Sequence, residues 1–319
     1  MRRLISALLV LAVLAALVWG AGALALRQGA QAGLAALRTQ GRGDAAAVTL
    51  AGFPTEFSLT LATPRLHQGL IAWQADWVRL SLPAWAPWRL RLDLSEAQSL
   101  RLGLMQYLLN GAATRLEVVL RPNSTLALDR AALSAGSLDG RLAGGGAVLA
   151  AESLDLALTA TAGTDYLLEA RLVGLSLPGL LQAPYGLPER AEDIELRAAL
   201  SLGAPLDRHA QANPPRLTAL ALDSASLHWG EARLHAEGRL DAGATGLAEG
   251  DITLTSPDWR AVLALALALR LMQPPYAAAL ARDLEPLADA TGGIRVALSF
   301  RGGQVWLGPL LLGPAPYLQ

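Results

Sequence analysis

The chain has 319 residues, a formal net charge of −1, no cysteine, and 26 basic residues that are all arginine. The missing cysteine excludes a disulfide framework, a thiol nucleophile, cysteine-ligated zinc and an iron–sulfur cluster, and the missing lysine excludes a P-loop lysine and Schiff-base chemistry. The arginines are scattered singly, so no basic run exists to bind nucleic acid, and none is expected as a partner.

Met1-Arg2-Arg3 precedes an uncharged apolar run from Leu4 to Leu26, which Arg27 closes. As a helix these 23 residues reach roughly 34 Å, against a hydrocarbon core of about 30 Å. The run predicts a single transmembrane helix, with the inner membrane contacted through residues 4–26. The basic flank of Arg2 and Arg3 favours the amino terminus in the cytoplasm and the body outside it, in the periplasm. The alternative is a cleaved signal peptide and a soluble periplasmic body. Its candidate sites are Ala21-Gly22-Ala23 and Ala23-Leu24-Ala25, although the run exceeds the usual hydrophobic region of about 7–15 residues. Ala30, Leu34 and Leu37 continue the helical spacing to about Gln40, and Gly41-Arg42-Gly43-Asp44 ends it. The division is therefore an anchor with a juxtamembrane helix, 1–40, and a β-rich domain, 44–319.

From Val48 the apolar period changes from 3.6 to 2. Phe57, Leu59 and Leu61 alternate with Ser58 and Thr60; Val78, Leu80 and Leu82 with Arg79 and Ser81; and Leu90, Leu92 and Leu94 with Arg89, Arg91 and Asp93. The same pattern recurs at Leu116–Leu120, Leu154–Leu158, Leu168–Leu172, Ile194–Leu200, Leu217-Ala219-Ala221, Ala232-Leu234-Ala236 and Ile252-Leu254. Sheets with one apolar and one polar face are antiparallel as a rule. Arg121-Pro122-Asn123-Ser124, Asp139-Gly140, Gly144-Gly145-Gly146 and Gly163-Thr164-Asp165 read as turns between strands. The expected fold is mainly β: about fifteen strands in a large, curved, mostly antiparallel sheet, as a half-open roll or split barrel. A sub-boundary is placed near 180–192, with a short helix or loop around Pro184-Tyr185-Gly186.

A helical hairpin, 257–290, interrupts the strands. Ser256 suits the N-cap, Pro257 the first helical position and Asp258 the positive helix end. The first helix runs to about Met272, stops at Pro274-Pro275, and is apolar almost all round, as suits a core plug. The second carries Leu280, Leu284 and Leu287 and ends at Gly292-Gly293. The chain closes with the hairpin Ile294–Phe300, Arg301-Gly302-Gly303-Gln304, Val305–Leu307.

No catalytic motif is present. Gly174-Leu175-Ser176-Leu177-Pro178 lacks the second glycine of a nucleophile elbow, and the triple glycine precedes a strand rather than a helix. His228 and His235, seven residues apart around Glu231, have no fixed ligand spacing and read as strand-surface histidines. No catalytic, cofactor-binding or metal-ligating residue is assigned. Trp73, Trp77, Trp85 and Trp88 lie within sixteen residues. They read either as a packing cluster or as a candidate apolar rim that touches lipid headgroups or the mouth of a groove.

The basic start and anchor, Gly52-Phe53-Pro54 before Phe57–Leu61, the Trp-rich stretch from Trp73, and Phe300-Arg301-Gly302-Gly303 with Leu307-Gly308-Pro309 and Leu312-Gly313-Pro314-Ala315-Pro316 carry a resemblance. Over essentially the whole chain, the sequence resembles the domain-of-unknown-function family 2125 of alphaproteobacterial envelope proteins. The resemblance implies an inner-membrane-anchored periplasmic protein and supplies no catalytic residue. More distantly, one anchor followed by amphipathic sheet is similar to AsmA-type envelope proteins, which implies lipid carriage along an apolar groove. The expected function is non-enzymatic: an apolar sheet face that binds or shields a lipid or another envelope hydrophobe. The alternatives are a scaffold for an envelope protein partner and, less favoured, a hydrolase using Asp, Glu or His on a loop.

Overall fold

A computed structural model describes residues 20, 22–24, 26–178, 188–210 and 212–318. Most of the anchor run, and residues 179–187 with the Pro184-Tyr185-Gly186 segment, lie outside them. The first described element is helix α1, within residues 20–39. Among the described residues no helix is long and apolar enough to cross a membrane.

Twenty-two strands follow among the described residues. The first six are β1 (Gly43–Asp44), β2 (Ala47–Ala51), β3 (Glu56–Ala62), β4 (Arg65–Gln68), β5 (Ile71–Ala75) and β6 (Trp77–Pro83). Next come β7 (Arg89–Leu94), β8 (Ala97–Leu102), β9 (Met105–Gly111), β10 (Arg115–Leu120), β11 (Leu128–Ala135) and β12 (Leu138–Leu142). Then β13 (Ala147–Ala151), β14 (Ser153–Ala160), β15 (Asp165–Val173), β16 (Asp193–Leu202), β17 (Leu217–Trp229), β18 (Ala232–Ala242) and β19 (Ala248–Ser256) lead to two helices. These are α2 (Trp259–Ala268) and α3 (Pro274–Leu284), with a 3-10 turn at Glu285–Leu287. Strands β20 (Ile294–Arg301), β21 (Gln304–Leu307) and β22 (Leu310–Pro314) end the fold.

The strands form two antiparallel sheets rather than one. Fifteen belong to a large sheet, in the order β2-β3-β6-β7-β10-β11 and then β14 to β22 consecutively. Seven belong to a small sheet, β1-β4-β5-β8-β9-β12-β13. Neither closes into a barrel. The order has a simple cause. Each early hairpin is long and bends midway, so its outer half pairs in one sheet and its inner half in the other. The bends are built from small residues: Ala75, Ser95, Ala135, Ala151 and Ala191 are all buried there, because nothing larger fits between the folded backbones. At one bend the Ser95 hydroxyl accepts from the Asp76 N–H at 3.0 Å and donates to the Ala97 carbonyl at 3.0 Å. At another, Gly174 has φ +65°, and a Cβ there would sit 2.7 Å from Glu152.

The alternating segments named from sequence are all strands of the large sheet. The small sheet escaped that reading, and Asp139-Gly140, read as a turn, lies inside β12. Gly140 is there because its neighbours on the sheet, Leu109 and Leu149, fill the space above it. On β17 the apolar phase is carried by Leu220 and Leu222, with Leu217 brought to the same face by a bulge at Thr218, whereas Ala219 and Ala221 fall on the other face. A bulge at Asp223 shifts the phase by one, so Ala225 and Leu227 stay on the same face. Strands β15 and β16 flank the 180–192 segment and pair directly with each other. The closing hairpin turns at Gly302-Gly303 with φ +60° and +74°, the two positive values that a type I′ turn requires.

The helical hairpin also differs in detail. Asp258, not Ser256, caps α2, its carboxylate accepting from the N–H groups of Arg260 at 3.0 Å and Ala261 at 3.1 Å. Ser256 is still the last residue of β19, paired with Ile294. The first helix stops at Ala268, and Pro274-Pro275 open α3 with their fixed φ, having no N–H to lose.

Candidate functional site

Register decides which side chains share a face of the large sheet. One row passes from partner to partner through Leu50, Leu59, Leu80, Leu92, Leu116, Leu133 and Leu156. It continues through Ala170, Leu196, Ala225, Ala236 and Leu254 to Val296. At a strand spacing of about 4.8 Å, this unbroken apolar row is on the order of 58 Å long. The next row on the same face, from Leu90 through Val118, Ala131, Leu158, Leu168, Ala198 and Leu222, also lacks a polar side chain.

Both ends of this face are plugged. At one end Ala23 and Leu26 of α1 pack on Phe57, Leu80 and Leu82. The α1 residues turned inward are Ala23, Leu26, Ala30, Leu34 and Leu37, a helical stripe. At the other end α2 and α3 cover β18 to β21, burying Trp229, Trp259, Leu265, Leu284 and Leu307. The carboxyl-terminal Ala315 and Leu318 pack beside Leu240 and Phe300. Between these plugs the leucines of β7 to β15 are only half-buried, and Leu156 keeps 39% of its surface exposed, against 5% for Leu59 and 3% for Leu265.

The opposite face of the same strands is charged. Asp93 pairs with Arg115 (2.8 Å), Arg171 with Glu195 (3.3 Å), and Glu169 with Arg197 (3.0 Å). These pairs are solvent-exposed, so each adds about 0–1 kcal/mol at most. Their main effect is on register, since a one-residue slip would bring this face inward. A shallow depression of about 360 Å³ lies over Ala132 and Ala157 on this side, ringed by Arg115, Arg130, Glu117 and Glu169.

The four tryptophans occupy separate settings. Trp73 lies in the small sheet, its indole N–H donating to Gln98 Oε1 at 3.1 Å. Trp77 lies on the charged side of the large sheet, stacked 5.2 Å below the Arg79 guanidinium. Trp85 and Trp88 sit in the loop between β6 and β7, where Trp85 is 70% exposed. Trp85 shares the outer margin of the large sheet with exposed Phe53 and Leu126. The hairpin tips of the small sheet carry a second exposed apolar margin: Leu70, Ile71, Leu104 and Met105.

His228 and His235 lie on the β17–β18 hairpin, with His228 Nδ1 3.0 Å from Asp193 Oδ1 and His235 4.0 Å from Glu237. Among the described residues no group of three acidic or histidine side chains is placed to hold a metal ion. Sequence reasoning missed one feature, a partly open apolar pocket of about 160 Å³ beneath α2 and α3. Its sequence signal was Ser256-Pro257-Asp258-Trp259, read only as a helix start.

No curated protein and no solved structure matches the chain. The comparisons therefore lend nothing to the more distant likeness to AsmA-type proteins. The model of a family described as an uncharacterized protein conserved in bacteria, DUF2125, matches residues 19–316. That match covers nearly the whole fold, from α1 to the last strand, and the chain belongs to this family.

Proposed function

We propose that this is a non-enzymatic, inner-membrane-anchored periplasmic protein that holds a lipid, or another envelope hydrophobe, on the open stretch of its apolar sheet face. One observation carries the reading. The leucines of β7 to β15 on this face keep part of their surface exposed, Leu156 the most at 39%, while the ends of the same face are covered by helices. An unfilled apolar surface of this extent is unfavourable in water at roughly 25 cal/mol per Å², and an aliphatic ligand removes that cost. The anchor fits the same picture. Ala23 and Leu26, at the carboxyl end of the apolar run, pack on Phe57, Leu80 and Leu82, so an anchor in the run before them sets this end of the sheet beside the bilayer. The sheet margin bearing Trp85 and Phe53 then lies near the membrane surface, where tryptophan is favoured.

The test is site-specific photocrosslinking of the full chain in its native membrane, with p-benzoyl-phenylalanine placed at Leu133 or Leu156. Capture of radiolabelled phospholipid from these positions, and not from Glu169 or Arg197 on the charged face, is expected. Equal capture from both faces, or none, rejects the reading. A protein adduct from Leu133 and Leu156 instead replaces it with the scaffold alternative.

A further inference from the structure

Three loops lie side by side at one margin of the large sheet: residues 52–55 between β2 and β3, 84–88 between β6 and β7, and 121–127 between β10 and β11. Each joins two neighbouring strands, so their tips recur at every second strand, about 10 Å apart. The loops are tied together. The Ala84 N–H donates to the Thr55 carbonyl at 3.0 Å, and the Leu120 N–H to the Trp88 carbonyl at 2.9 Å. Yet each leaves a large apolar side chain exposed: Phe53, Trp85 and Leu126. In two of them the small neighbour is the buried one. Ala86 and Ala127 are 6% and 7% exposed, against 70% for Trp85 and 41% for Leu126. Leu126 is presented in this way at φ +51°, a left-handed conformation that is unfavourable for a bulky side chain. The one charged residue in the three loops is Arg121, paired with Asp129 at 3.3 Å, and no carboxylate lies among them.

The apolar run leads to this same margin. Gly22 of α1 lies against the Phe57 ring, where an added Cβ would come within 2.7 Å, and Phe57 is the second residue of β3, just after the first loop. At its other end α1 meets β1, where Leu37 lies against Gly43, roughly 22 Å of helix away. The small sheet starts there, with Gly43 paired to Leu66, and its exposed tips at Leu70 and Leu104 lie beyond that end.

We propose that the three loops are a docking surface for the lipid bilayer that the run 4–26 enters. Phe53, Trp85 and Leu126 sit in its headgroup region, the strands of the large sheet stand on the membrane by this margin, and the small sheet points away from it. Three separate tips about 10 Å apart suit a fluid surface, into which each inserts independently, whereas a protein partner needs one continuous packed contact. Aromatic and leucine side chains are favoured at that depth, and loops free of carboxylates are not repelled by anionic lipid. The inference rests on the anchored reading above and is independent of what the apolar face holds.

The experiment uses the full-length, cysteine-free chain in vesicles of phosphatidylethanolamine and phosphatidylglycerol. One nitroxide is attached to Trp85→Cys, Leu126→Cys, Leu70→Cys or Leu104→Cys. Power saturation compares its accessibility to oxygen, which partitions into lipid, and to a water-soluble nickel chelate. The oxygen-to-nickel ratio is expected to be several-fold higher at 85 and 126 than at 70 and 104. A label on Ser124→Cys, which replaces no apolar side chain, gives the same high ratio. It loses that ratio when Trp85→Asp and Leu126→Asp are introduced together, while the Leu104→Cys label is unaffected. Vesicle flotation reads the anchor separately. Protein that floats with water-exposed labels at 85 and 126 keeps its anchor and overturns the docking alone. Protein that does not float ends both readings. High ratios at 70 and 104 instead reverse the orientation and overturn the proposal. So does spin–spin broadening at 85 or 126 that dilution with unlabelled protein removes, which means that a second copy covers the loops.

Discussion

Asp289 shows how a single polar side chain holds a loop in this fold. Its Oδ1 accepts from the Thr291 hydroxyl at 2.7 Å and from the N–H groups of Thr291 at 2.8 Å and Gly293 at 2.9 Å. The Thr291 hydroxyl, then the Gly293 and Thr291 N–H groups, hold the carboxyl below its usual value of 3.8. Its contribution to stability is therefore complete above that value and is lost as the pH falls through the lower folded pKa. Asp289→Ala is expected to lower the melting temperature by a constant amount from neutral pH down to about 5. The gap between the two proteins then narrows below 3.8, as read from thermal melts across an acid series. A gap independent of pH down to about 2 would mean the carboxylate is not the stabilising form. Such loop chemistry was partly legible in the sequence. Asn123, read as part of a turn, does fold one, its Oδ1 accepting from the N–H groups of Thr125 and Leu126. Ser256 was misread because two good caps lay two residues apart. Which of them reaches the free N–H groups depends on where the strand ends, and that is set by pairing with Ile294.

At the scale of elements, period was the reliable guide and propensity was not. Leu and Ala favour helix, yet the strands with strict alternation formed as read. Alternation failed where a strand is short or its two faces are less unequal. The run Arg65-Leu66-His67-Gln68 has one apolar residue in four, and Leu108 lies on the outer side of β9, so the small sheet was not visible. The β18–β19 pair holds a second feature that composition does not show. Gly238 and Gly250 have φ +154° and +134°, and a Cβ on either would lie 2.2 Å from a carbonyl oxygen of the neighbouring strand. Gly238→Ala should cost at least about 2 kcal/mol, from backbone strain and the clash together. Gly29→Ala in α1, where nothing lies within 4 Å of the added atom, should instead stabilise by about 0.5–1 kcal/mol. Urea midpoints of the two variants, compared with the parent, measure both. A neutral Gly238→Ala would show that the two strands separate more readily than their register implies.

On the scale of the whole molecule, the distinctive property is an apolar face that is closed at its ends and open in its middle. Because the chain has no cysteine, a single introduced thiol reports this without background. Leu156→Cys is expected to react with N-ethylmaleimide in the folded, delipidated protein at close to the rate of the denatured chain. Leu265→Cys, beneath the helical hairpin, should be slower by roughly a hundredfold, reacting only through opening of the fold. Similar rates at the two positions, by mass spectrometry, would mean that the middle of the face is covered as well as its ends.

Legible in the sequence alone were the apolar run at the start, most strands of the large sheet with the face their side chains take wherever no bulge intervenes, and the helical hairpin near the end. Each is a local property, because a side chain's face follows from its position in a repeat of 2 or 3.6 residues. Long-range packing alone set that the hairpins bend into two sheets and that the helices cover the ends of the apolar face rather than its centre. Burial depends on what lies across a face, and that partner comes from residues far along the chain. Alternation records that a face is apolar and is silent on whether anything covers it.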